Sequence, residues 1–404
     1  MKSATYVVRM LLAALAAGAV DQPGDLSAQA DECQLSQGPT LNRQGDFLFI
    51  SGRFRLDCSG GVVLRADSAV NIQSREEIFL IGNVSFQDTI KALEADWVHY
   101  RSAERYLEGR GNVLVTDVGT GSTVRGQTLQ YWRGGGPEGA ETRVLIRGGR
   151  PHAVLYAADE AGSRPRPDVP EPGVDTLTVP GPVQPAADSA APPTEVDADV
   201  IELLGEDRFR ASGNVEIVRG DLLAFGDRAE FDESTNRMEL AADARIDGEA
   251  YDLTGERIEA VLTESGDVER VVALERADLV SEEVRVQGPE LRIFFDDGDP
   301  SRLIALGSRR VASPDSAFIE PVRASATSET FQLLADSIDA LAHDQRLDSL
   351  HAVGHAYSEQ IQDSLRTDLP ELARTDWARG DTIRAYFAAV DSSVAQETGA
   401  PLQP

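Results

Sequence analysis

The chain has 404 residues, of which 41% are hydrophobic, 6% aromatic and 26% charged, and its net charge is 38 − 68 = −30. The length allows two or three domains with ordinary cores. A chain this acidic lacks the clustered Lys and Arg that a phosphate backbone demands, which excludes nucleic acid as a partner and leaves solubility as the plain reading of the charge.

Residues 1–30 read as a cleavable signal peptide. Lys2 and Arg9 give a basic start, residues 10–20 form an uncharged, mostly apolar run, and Ala28-Gln29-Ala30 offers a small-x-small cleavage site. The run is shorter than the roughly 20 residues of a membrane span, so cleavage is favoured over retention as an anchor. Cys33 and Cys58 are the only cysteines. An exported address permits a disulfide between them, and two cysteines alone cannot build a zinc site.

A first β region is expected over 31–160 and a second over 196–390. Between them, 161–195 holds 9 of the chain's 20 prolines and reads as an extended linker. Residues 391–404 are small and polar and read as a disordered tail.

Both regions carry an internal repeat. Its first element is Gly-Asn-Val, at Gly82-Asn83-Val84, Gly111-Asn112-Val113 and Gly213-Asn214-Val215, with weaker copies at Gly52-Arg53-Phe54, Ala242-Asp243-Ala244 and Gly354-His355-Ala356. Its second is Ala-Asp or Gly-Asp, at Asp67, Asp96, Asp199, Asp227, Asp336 and Asp381, with Gln127 and Glu256 as relatives. Asn83 to Asp96, Asn214 to Asp227 and Asp243 to Glu256 are each 13 residues apart, while Asp67 to Asn83 and Asp96 to Asn112 are each 16. The period is therefore 29, and it loosens after Glu256. Apolar residues alternate after each first element: Phe54 and Leu56, Val84 and Phe86, Val113 and Val115, Val215 and Ile217, Ala244 and Ile246. A period of two places each pair on one face of a strand. Gly-Asn reads as a tight turn between strands, since both residues tolerate positive φ.

No catalytic constellation emerges. His351 and His355 would lie roughly 13 Å apart on a strand, too far to share a metal. Asp296-Asp297-Gly298-Asp299 lacks the downstream Glu of a calcium loop and reads as a hairpin turn. No P-loop, nucleophile elbow or dinucleotide fingerprint is present. The chain is read as a non-enzyme without cofactor or metal.

The recurring IGNVSF, ALEADWVHY, LEGRGNVLV and ASGNVEIV segments resemble the OstA-like family of periplasmic lipopolysaccharide-transport proteins, the LptA–LptC–LptD group. The likeness covers most of 45–155 and 196–310. It implies an all-β fold of repeated antiparallel, slit-open β-jellyroll modules stacked like a solenoid. It implies a periplasmic carrier or bridge for lipopolysaccharide or a related glycolipid, associated with the outer membrane. Neighbouring transport modules would join edge to edge, with self-association as one form. By motif position the slit-facing residues would be Phe54, Leu56, Val84, Phe86, Val113, Val115, Val215, Ile217 and Ile246. Two modules joined by a proline-rich linker depart from the simplest members. The residues alone leave two alternatives: an open lipid slit, or a filled core in a structural β scaffold that binds protein partners.

Overall fold

Alternation becomes strand throughout. The computed structural model describes residues 33–36, 39–58, 63–87, 91–101, 103–132, 141–156, 193–205, 207–220, 222–248, 251–263, 267–282, 284–296, 298–307, 322–329, 331–343, 346–360 and 376–386. The signal peptide, residues 161–192 of the linker and the tail lie outside them. The described residues are all-β and antiparallel apart from one 3-10 turn at Gln73–Arg75, as the expected fold class requires. They divide into two units, Met1–Asn236 and Arg237–Pro404.

The first unit holds β1 (Cys33–Ser36), β2 (Thr40–Gln44), β3 (Phe47–Cys58), β4 (Val63–Ile72), β5 (Glu77–Gln87), β6 (Lys91–Arg101), β7 (Tyr106–Asp117) and β8 (Thr123–Trp132). It continues with β9 (Arg143–Arg147), β10 (His152–Leu155), β11 (Thr194–Asp197), β12 (Val200–Leu204), β13 (Arg208–Arg219) and β14 (Leu222–Asp232). From β3 to β8 each strand pairs with the next.

The Gly-Asn element is not a turn between strands, as its composition suggested. It lies in the middle of one. In β5, Gly82 (φ 78°) and Asn83 (φ 44°) stand opposite the single residue Asp96, because Ile81 pairs Trp97 and Val84 pairs Ala95. Two residues against one make a β-bulge, which bends the strand. Gly111-Asn112 stands likewise against Gln127, and Gly213-Asn214 against Asp227. The 13-residue spacing is therefore a hairpin whose two strands bend together. The 16-residue spacing is a side-chain contact: Asn83 Nδ2 donates to Asp67 Oδ2 at 2.7 Å, and Asn112 Nδ2 to Asp96 Oδ2 at 2.8 Å. Asn214 does the same to Asp199 at 2.8 Å. One period of 29 is one bent strand pair, and the polar side chains of successive periods link along the bend.

Described strands on the two sides of 161–195 pair with one another. β8 pairs both β9 and β10, and β13 pairs both β11 and β12. Between them β10 pairs β11 and β9 pairs β12, so the sheet runs straight across the proline-rich stretch. Cleavage introduced between Asp175 and Thr176 should therefore leave two fragments that co-elute under native conditions and separate only in denaturant. Fragments that part without denaturant would restore the two-module division.

At the other end of the unit, β1 and β2 share β3 as partner, and the register sets Cys33 opposite Cys58. Directly opposed Cα atoms lie about 4.5–5.5 Å apart, within the disulfide range. A bond there would close a loop of 24 intervening residues and stabilise the unit by roughly 3 kcal/mol. Alkylation of exported, non-reduced protein should find no free thiol; two alkylated cysteines would refute the bond.

The second unit holds β15 (Arg237–Asp247), β16 (Tyr251–Leu262), β17 (Val268–Ser281), β18 (Arg285–Asp296), β19 (Asp299–Leu306), β20 (Ala324–Thr327), β21 (Phe331–Ala335), β22 (Ser337–His343), β23 (Arg346–Gln360) and β24 (Trp377–Tyr386). The same bends recur at Ala242-Asp243 opposite Glu256, at Glu275-Arg276 opposite Pro289, and at Gly354-His355 opposite Asp381. Each of these paired residues has positive φ. The repeat thus does not stop after Glu256. It is disguised, because Glu275 and Arg276 take the left-handed conformation without Gly or Asn. Pro289 fits a bulge, where a missing N–H costs no ladder bond. Asp296 pairs Asp299, so the acidic stretch there is a hairpin turn.

Candidate functional site

The bend gives each long strand two flanks, and the same face of both flanks is apolar. Bulged strands leave three residues between inward side chains (Leu80 and Val84), and their partners leave two (Ala95 and Val98). The inward residues next to the bend are small, Ala66, Ala95, Ala211 and Gly109, and Leu129 packs 3.4 Å from where a Gly109 Cβ would sit.

Beyond the bend, Leu56, Leu64, Phe86, Leu93, Val115, Val124, Ala153, Val196, Ile217 and Ala224 are successive cross-strand partners. Before the bend runs a matching row: Ile50, Ala69, Leu80, Val98, Gly109, Leu129, Ile146, Ile201, Ala211 and Ala229. Directly opposed residues share a face. Two unbroken apolar rows therefore cross ten strand positions of the first unit, spanning about 43 Å at about 4.8 Å per strand. Among the described residues no polar or charged side chain is buried. The interior offers dispersion and exclusion of water, and no acid, base or anion hole.

Of the nine residues predicted to face a slit, Phe54, Leu56, Val84, Val113, Val115, Val215, Ile217 and Ile246 are at most 7% exposed. Phe86 is half-buried. They all lie on the flank after the bend. Eight belong to the first unit, and Ile246, on β15, belongs to the second. The predicted set thus samples the inner face of each unit separately. The row before the bend was missed, although its signal was present: Leu80, Leu107, Ala211 and Ile50 each lie two or four residues ahead of a bend pair, in the same alternation. In the second unit Tyr251 begins β16, and burial pushes its phenol up to about 12.

The outer face is polar over most strands. Arg210 pairs Glu230 at 2.9 Å, Arg237 pairs Glu259 at 2.9 Å, and Arg302 pairs Asp339 at 2.6 Å. Such exposed pairs contribute up to about 1 kcal/mol each. His355 Nδ1 lies 3.0 Å from Asp336 Oδ2, in the place Asn takes at other bends, and His351 Nε2 accepts from Arg384 Nε at 3.1 Å. The two histidines thus have separate partners, and no group of three or more His, Cys, Asp or Glu among the described residues could hold a metal. No described helix is long and apolar enough to cross a membrane.

No family model and no curated protein matches the chain. Among solved structures it is similar to LptH of Pseudomonas aeruginosa, described as the LptA-homologous periplasmic component of the lipopolysaccharide transport device. The identity is 15%, over 48% of this chain and 94% of that one, with a TM-score of 0.20. Superposition that loose decides nothing about the site, and the fold assignment rests on the strand pairings themselves.

Proposed function

We propose that the chain is an exported, periplasmic carrier or bridge for an acylated glycolipid of the lipopolysaccharide class, with acyl chains received against the two apolar rows. The unbroken apolar lining on both flanks of the bend carries this reading, because it continues through strand after strand of the first unit, and no described residue of polar or charged type is buried in it. An enzyme would need polar side chains converging on a reacting atom. The repeated motifs, which resemble those of the OstA-like family, point the same way. Edge-to-edge partners would meet β24, which pairs β23 and carries Trp377 and Tyr386 at 57% and 78% exposure. An extended strand can add there by main-chain hydrogen bonds.

One observation favours the second reading, a structural β scaffold with a filled core: eight of the nine candidate residues are packed away from solvent. Acyl chains would then have to part the flanks to enter, and half-buried Phe86 lies where they would first touch. Protein purified from a periplasm under native conditions should carry an acylated glycolipid, identified by mass spectrometry of the extracted lipid. Phe86→Ser should lower the recovered lipid several-fold with little loss of fold. Protein that is free of lipid, and takes none up from lipid A micelles, belongs to the scaffold reading.

A further inference from the structure

The second unit has an apolar interior of its own. Beyond the bend, Ile246, Leu253, Leu279, Val286, Ala326 and Leu333 are successive cross-strand partners on β15, β16, β17, β18, β20 and β21. A matching row before the bend runs from Leu240 through Leu291 to Ala352. Tyr251 stands two residues outward of Leu253 in the same alternation, about 7 Å along the strand. It therefore faces the same interior from the lip of the flank, directly opposite Ser281. The residue is half-buried, and its phenol is withdrawn from water far enough to be pushed up to about 12. A tyrosine hydroxyl so placed ordinarily finds a partner. Tyr106 Oη accepts from Gln130 Nε2 at 3.1 Å, and Tyr357 Oη donates to Glu359 Oε2 at 2.9 Å. The Tyr251 hydroxyl has no partner among the described residues. The hydroxyl of Ser281 is already engaged in its own turn: its Oγ donates to Val284 O at 3.0 Å and accepts from Val284 N at 3.2 Å.

We infer that Tyr251 reads the acyl linkage of a bound glycolipid: its hydroxyl donates to the ester or amide carbonyl that joins an acyl chain to the sugar, with the chain laid inward along the second unit's rows. The inference rests on the carrier reading and names one contact within it. An acyl chain offers the interior only methylene groups, which the two apolar rows suit. Its carbonyl sits at the head of the chain, at the boundary between apolar interior and polar headgroup, and Tyr251 stands at that boundary on the protein. A carbonyl oxygen accepts and cannot donate, so it takes a hydroxyl and not a carboxylate. The acids of the same hairpin, Asp247 and Asp252, are opposed across it and alternate to the outer face, away from the place. No described basic residue is buried on the inner face, so a neutral carbonyl suits the position better than the carboxylate of a free fatty acid. One polar group at the edge of an apolar lining is what fixes how far a ligand slides in.

The test uses the full exported chain, freed of lipid and loaded with a lauroyl ester of glucose that is isotope-labelled at its carbonyl carbon, with unbound probe removed by gel filtration. Infrared difference spectra should show a component of the labelled carbonyl band moved to lower frequency by hydrogen bonding. Tyr251→Phe should lose that component while still retaining probe. The same substitution should hold or raise the thermal midpoint of the lipid-free protein, because it deletes a hydroxyl that no group of the chain satisfies. Probe bound with the same carbonyl band in both proteins overturns the inference and leaves the carrier reading standing. So does a midpoint several degrees lower in the variant, which would mean that the hydroxyl has a partner within the chain. Laurate retained in preference to the ester would assign the hydroxyl to a free carboxylate and overturn the inference as well. Failure of both proteins to retain the ester or laurate overturns the carrier reading, and this contact with it.

Discussion

Gly111→Ala should cost about 2–4 kcal/mol of unfolding free energy, and Gly121→Ala only about 1 kcal/mol. Both glycines have φ of +75°, so the left-handed strain of a Cβ, about 1–2 kcal/mol, is common to both. They differ in what the Cβ meets. At Gly121 nothing lies within 4 Å, whereas at Gly111 the new carbon would fall 2.4 Å from Asp96 Oδ2 and 3.0 Å from its Cβ. Asp96 cannot simply swing away, because its Oδ2 accepts the Asn112 side-chain amide at 2.8 Å. The same crowding recurs at Gly82 under Asp67 and at Gly213 under Asp199. The bend therefore demands glycine twice over, for its dihedral and for the carboxylate above it. Denaturant titration of the matched pair reads the difference directly. Equal losses would mean that the Asp contact contributes nothing, and that the motif is a matter of dihedral alone. Asp96→Ala in the Gly111→Ala background should recover part of the loss, a coupling a double-mutant cycle isolates.

Ile217→Asp should have the largest effect of any single change considered, at least about 4 kcal/mol, while its neighbour Glu216→Gln should stay within about 1 kcal/mol. Ile217 is 3% exposed and lies between Val196 and Ala224 in the row beyond the bend. No described basic group is buried on that face to receive a carboxylate. Glu216 points outward and meets Arg150 Nη2 at 2.8 Å, an exposed pair of ordinary worth. Charge reversal at Glu216 would place a second cation beside Arg150, so neutral Gln is the cleaner control. Thermal unfolding with lipid content measured in parallel separates three outcomes. An unfolded Ile217→Asp protein means the inner face is a filled core. A folded one stripped of glycolipid means the face opens to admit acyl chains. A folded one that keeps its lipid removes Ile217 from the site.

How far the sequence reached can be judged at particular residues. Alternation put Phe54, Val84, Val113 and Val215 each on one face with the next apolar residue but one, and all four are buried. Alternation is local, so three residues suffice to reveal it. Glu275-Arg276 escaped notice because neither residue announces a positive φ; only the pairing of Leu274 with Glu290 and Ala277 with Gly288 exposes the bulge. The row containing Leu80, Leu129 and Ile146 joins strands of which β8 and β9 carry no Gly-Asn, so only pairing brings it together.

The sequence by itself determined that the described residues are β, that the repeat unit is 29 residues, and which face is apolar in the strands that follow Gly-Asn. All three follow from side-chain chemistry repeated at short range. Only the tertiary structure decided that the repeat's polar residues make bends and not turns, because a bulge is a count of two residues against one on a strand that lies elsewhere in the chain. The same holds for the strands on either side of the proline-rich stretch, where β9 pairs β12 and β10 pairs β11. Those bonds join segments with about forty residues or more between them, and no local pattern encodes them.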